Sequence, residues 1–71
     1  MNSTQMLFDR ETTPNVEYIG WAGSGIATDK AQWTIMEITK DSNGDFISIK
    51  YAGGTTTAEN VWDDRASLIY S

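Results

Sequence analysis

At 71 residues the chain has room for one domain and one core, and chains this short bury only about 60% of the surface their unfolded form exposes. Cys and His are both absent, which excludes disulfides and thiolate metal sites and removes the commonest general base and metal ligand. Ten acidic residues against five basic ones give a net charge of −5, and Arg10, Lys30, Lys40, Lys50 and Arg65 are spread singly, so nucleic acid and anionic membrane surfaces lose their electrostatic attraction.

A small core without covalent or metal staples points to oligomerisation or docking on a larger assembly. No apolar run approaches the ~20 residues that span a bilayer. Met1 to Thr13 carries no basic region followed by an apolar one, so synthesis and residence in a cytosol, or release by lysis, is the expectation.

In chain order, residues 1–16 read as an N-terminal arm and 17–71 as a small β domain. Met1–Gln5 is polar, Asp9-Arg10-Glu11 is charged, and Pro14 disfavours helix just before it. Within the arm, Met6, Leu7 and Phe8 form one apolar triplet. It either covers one end of its own core or anchors the arm in a neighbouring subunit, and the second is preferred. Tyr18-Ile19-Gly20-Trp21-Ala22 is rich in strand formers, and Gly23-Ser24-Gly25 breaks the strand. Thr28–Ala31 is compatible with a single helical turn.

Gln32–Lys40 and Phe46–Ala52 flank Asp41-Ser42-Asn43-Gly44-Asp45, and Asn-Gly at the centre predicts a hairpin closed by a type I′ turn. That turn sets Ile38 opposite Ile49 and Met36 opposite Tyr51, with Ile47 beside them on an apolar face. The other face then pairs Glu37 with Lys50 and Thr39 with Ser48, both favourable across strands. A one-residue slip would destroy both patterns. Trp33, Ile35 and Phe46 fall on this second, nominally solvated face, so something must cover it at one end.

Gly53-Gly54 predicts a turn, Thr55-Thr56-Thr57 a third meander strand, Glu59–Arg65 a helical turn or bend, and Ser67–Tyr70 a terminal strand. The expected fold is all-β: a small antiparallel sheet or barrel of about five short strands with an extended N-terminal arm.

Candidate chemistry is sparse. Asp41–Asp45 superficially resembles a calcium loop, but Gly stands fourth rather than sixth and position twelve is Ala52 instead of a bidentate Glu. Glu59, Asp63 and Asp64 form an acidic cluster better suited to capping or pairing with Arg65 than to paired acid/base work. Gly20-x-x-Gly23-x-Gly25 lacks the spacing and the Lys-Ser/Thr pair of a phosphate loop. No catalytic residue, metal ligand or cofactor site is assigned, and the chain is expected not to be an enzyme. Three Trp and three Tyr are many for so short a chain. Trp21, Trp33 and Trp62 divide between core and interface, because Trp and Tyr dominate binding hot spots. With Met6, Leu7 and Phe8 they are the protein-interface candidates.

Tyr18–Ala22, Ala27-Thr28, Trp33-Thr34-Ile35, the Asn43-Gly44 hairpin and the closing run Asn60–Ser71 together resemble a group of small proteins of tailed bacteriophages, encoded among virion structural genes. Val61-Trp62-Asp63-Asp64-Arg65-Ala66-Ser67-Leu68 is the most specific part, and the resemblance covers about three quarters of the chain, leaving out the arm. It departs from the group at Tyr51-Ala52-Gly53-Gly54.

The resemblance implies a non-catalytic virion protein: a capsid decoration or cement subunit, or a head–tail or tail adaptor. Such a protein is made in the host cytoplasm, and its partners are other virion proteins or further copies of itself. The alternatives are a glycan- or receptor-binding module using Trp21 or Trp62, and an intracellular effector whose negative surface inhibits a host protein.

Overall fold

The computed structural model describes residues 3–71; Met1 and Asn2, the first two residues of the expected arm, lie outside them. Five antiparallel strands make one open sheet: β1 (Thr4–Asp9), β2 (Val16–Gly23), β3 (Ala31–Lys40), β4 (Phe46–Tyr51) and β5 (Asn60–Val61). A 3₁₀ helix, Trp62–Ser67, follows. The order is β1-β2-β3-β4, and β5 also pairs with β3. β4 runs opposite Met36–Lys40 and β5 opposite Ala31 and Trp33, so the two occupy successive halves of one edge of the long third strand.

The chain is all-β as expected, as an open sheet rather than a closed barrel. The stretch read as an arm is where the structure differs most. Thr4–Asp9 pairs along its whole length with β2, from Thr4 opposite Gly23 to Asp9 opposite Tyr18. The alternation of Gln5, Leu7 and Asp9 with Thr4, Met6 and Phe8 is the period of two that a strand requires. The turn that returns the chain is local: the Asp9 carboxylate accepts the Glu11 and Thr12 amides, and Asn15 takes the left-handed conformation at φ 61°.

The hairpin register is the expected one, with Met36 opposite Tyr51, Glu37 opposite Lys50, Ile38 opposite Ile49 and Thr39 opposite Ser48. The turn is not type I′. Asn43 keeps a negative φ and only Gly44 is left-handed, at φ 86°. Asp41 closes a four-residue turn by accepting the Gly44 amide, and its carboxylate takes the Asn43 and Asp45 amides. This loop is one residue longer than a type I′ turn, and a bulge after Phe46 restores the register. The bulge also moves Phe46 opposite Lys40, off the Trp33 face where simple alternation would have put it.

Two expected strands do not form. The hydroxyls of Thr55 and Thr57 bond each other at 2.9 Å and the Thr57 amide donates to Thr55 Oγ1, so the Thr run satisfies itself locally and makes no ladder. At the C-terminus, Ser67 ends the 3₁₀ helix, and the expected strand is reduced to a short antiparallel contact around Ala52 and Tyr70, held by reciprocal Tyr51–Ser71 backbone bonds and by the Gly53 amide donating to the Ile69 carbonyl.

Side chains alternate between two faces, and the core lies on the one carrying Trp33 and Ile35, both fully buried. Tyr18, Ala22, Ala52 and Trp62 complete it, with Leu7, Val16, Ile26, Leu68 and Tyr70 packed around them. Gly20 sits in the same row as Leu7 and Ile35 and leaves room for two indoles. Trp62 and Trp33 lie with ring centroids 5.9 Å apart over that gap. The 3₁₀ helix and the C-terminal residues form the second layer. They are tied down by Arg65, whose Nε is 2.7 Å from the Asp9 carboxylate and whose guanidinium lies 4.6 Å above the Trp62 ring. The Tyr70 hydroxyl donates to the Arg65 carbonyl at 2.8 Å.

Candidate functional site

Among the described residues no second layer covers the opposite face of the same sheet. Register and alternation place Met6 and Phe8 from β1, Ile19 and Trp21 from β2, Met36 and Ile38 from β3, and Ile47, Ile49 and Tyr51 from β4 on it. Ile38, on the central strand, is 5% exposed, walled in by its neighbours. Around it Met6 is 55%, Phe8 54%, Ile49 57% and Ile47 62% exposed. Phe46, at the bulge, is equally open. Large apolar side chains scattered singly on a surface are ordinary, but a contiguous set on one flat element marks an interaction site.

The face is bounded by polar groups at both ends. At one end the Lys40 ammonium lies 3.1 Å and the Arg10 guanidinium 3.5 Å from the Glu17 carboxylate. At the other, Thr34 is buried and its hydroxyl donates to the Thr56 carbonyl at 2.8 Å, bringing the 53–59 loop to the rim. Trp21 and Tyr51 meet edge-on across β3 with centroids 6.4 Å apart, forming an aromatic ridge at the Thr34 end of the face. An apolar centre inside a polar rim is the arrangement of protein interfaces.

Charge is distributed to match. Of the ten acidic residues only Glu17 projects from this face, and it is ion-paired. Asp9 and Glu37 belong to the core side, and the rest lie in turns, in the 53–59 loop and in the 3₁₀ helix. The charge of −5 therefore resides elsewhere on the molecule.

The core side holds the two groups with shifted proton affinity. Hydrogen bonds from Thr12 and from the Glu11 amide, with the Arg65 guanidinium adding to them, hold the Asp9 carboxyl well below the usual carboxylate range. Burial pushes the Tyr70 hydroxyl upward. Both are engaged structurally. Among the described residues no buried side-chain polar atom lacks a partner, and no group of three or more acidic residues is placed to hold a metal ion.

The interface candidates therefore separate. Met6, Phe8 and Trp21 come together on the bare face. Leu7 points to the core, and Trp33 and Trp62 are inside it. Ile19, Met36, Ile38, Ile47, Ile49 and Tyr51 join Met6, Phe8 and Trp21 on the bare face, although the hairpin's apolar side reads naturally as core. The contrary signal is in the sequence: Trp33 and Ile35 on one side of β3 demand more covered area than Met36 and Ile38 on the other.

No protein-family model, curated protein or solved structure matches the chain. No helix among the described residues is long and apolar enough to cross a membrane.

Proposed function

We propose that the chain is a non-catalytic assembly subunit that works through protein–protein contacts made by the bare face of its sheet, as a decoration subunit or head–tail adaptor in the virion of a tailed phage. The observation that carries the docking role is the apolar face itself, contiguous over four strands and free of unpaired charge. The virion setting rests on the resemblance of Tyr18–Ala22 and of the closing Val61–Leu68 run to phage proteins. The absence of His and Cys from the sequence is in keeping with a binding role. A glycan-stacking module would use Trp21 or Trp62. Trp62 lies in the core, and the Trp21 ring is held edge-on by Tyr51, which favours protein as the partner.

Mass spectrometry of purified particles, with the copy number of this chain set against the major capsid protein, tests the reading. Near-equal copy number identifies a decoration subunit, and a small ring-like number an adaptor. A chain absent from the particle overturns the virion role.

A further inference from the structure

The geometry points to a second copy of this chain as the occupant of the bare face: two sheets packed face to face about a two-fold axis, closing a β-sandwich whose second layer is the partner. The inference rests on the docking role of that face and names its partner.

Among the described residues the 3₁₀ helix and the C-terminal residues cover one side of the sheet only, and a second apolar sheet face is stably kept only when it too is buried against another element. The missing layer must be apolar, about as broad as four strands, and able to meet a face whose one carboxylate, Glu17, is already ion-paired. The chain's own bare face meets each requirement. Two copies at −5 each repel one another at most surfaces, but here each presents one carboxylate, Glu17, already neutralised by Lys40 and Arg10. The contact therefore brings no like charges together, and the acidic loops point away from it.

The area is also sufficient. A large side chain has a full area on the order of 200 Å². The five residues Met6, Phe8, Phe46, Ile47 and Ile49, each more than half exposed, then offer about 600 Å², before the partly buried Trp21 and Tyr51 are added. A stable interface takes roughly 800 Å² from each partner, and one above about 1,000 Å² in total clears the range of incidental contacts. Sheets with apolar inner faces pack about 10 Å apart with strands within about 30° of one another, a geometry open to two identical sheets. Two-fold dimers with isologous interfaces are the commonest homo-oligomers.

Sedimentation equilibrium of the purified full chain, across low micromolar to high micromolar concentration, tests this. The expected result is a particle of twice 7.9 kDa. Ile49→Lys and Phe8→Lys, at opposite flanks of the face, should each give a folded monomer by circular dichroism. Ser42→Lys, in the exposed hairpin loop, should leave the dimer intact. Ile49 and Phe8 are both solvated in the single chain, so a Lys there is tolerated by the fold. A wild-type chain that is monomeric throughout overturns the inference, as does a dimer indifferent to both face substitutions. The copy number of the wild-type chain in the particle depends on neither outcome, so the virion role and the self-pairing are tested separately.

Discussion

Trp62 packs on the backbone of Gly20 so closely that a methyl group there would stand 2.6 Å from the ring atom Cζ3 and 3.3 Å from Cε3 of Trp33. This contact decides which side of the sheet becomes the core. A strand residue without a side chain, opposite Leu7 and Ile35, makes a pit on one face only. The two indoles fill it, and the apolar residues of the other face are left to the outside.

Gly20→Ala should therefore be strongly destabilising although Ala suits a strand better than Gly. Neither indole can retreat, because Trp33 donates its Nε1–H to the Ala27 carbonyl and Trp62 is covered by Arg65. Overpacking of this kind costs about 1–3 kcal/mol. Urea denaturation should show the loss as a lower midpoint, and an unchanged midpoint would mean that the Trp62 contact is not tight.

Asp9 and Arg65 join the first strand to the last helix, and removing one partner leaves the other partly buried and unpaired. Asp9→Ala should cost about 1.5–3 kcal/mol, the usual worth of hydrogen bonds to a charged group. The pH dependence has a definite sign. The folded-state pKa of Asp9 lies below the ordinary 3.8, so its contribution is complete above that value and is lost as pH falls from there toward the depressed one. Wild type should lose stability more steeply than Asp9→Asn between about pH 5 and about pH 2, read from urea midpoints. Parallel curves would contradict the role of Asp9.

The hairpin turn separates two substitutions that a type I′ turn would make alike. Gly44 is left-handed and Asn43 is not. Gly44→Ala should cost about 1–2 kcal/mol, while Asn43→Ala should fall within about 0.5 kcal/mol of wild type. Thermal denaturation of both variants reads the difference. Equal losses would restore the type I′ turn.

The two faces of the sheet should respond very differently. Trp33→Ala removes a fully buried indole and should cost about 3–5 kcal/mol, enough to unfold a marginal chain of this size. Ile49→Thr, on the bare face, should change stability by about 0.5 kcal/mol or less in dilute solution. Circular dichroism melts of the two variants check the assignment of core and surface.

Much of this fold is legible in the residues. Strand period, the Asn-Gly signal and the Glu37–Lys50 and Ile38–Ile49 pairings fix the hairpin register, which survives a different turn because the bulge compensates the longer loop. The face assignment is not legible from the hairpin alone. Ile38, Ile49, Met36 and Tyr51 are as apolar as a core, and the competing claim comes from Trp62, far away in sequence, meeting Gly20. The first strand is hidden for a related reason: its polar start and charged end look like a tail, and only pairing with Val16–Gly23 gives Met6-Leu7-Phe8 its alternation. Thr55–Thr57 misleads because β-branched residues favour strands until their hydroxyls find one another. Of the candidate site, Met6, Phe8 and Trp21 are legible as surplus apolar residues. The rest of the face is not, because the apolar side of a hairpin carries the same residues as an interior.

The central claim is that the bare face is the working surface, and the most direct test is the copy number of an Ile49→Lys chain in purified particles beside that of wild type. The account predicts a folded protein that is missing from the particle, because a charge has been set into the contact at a position that leaves the core untouched. An Ile49→Lys chain incorporated at the wild-type copy number would contradict it.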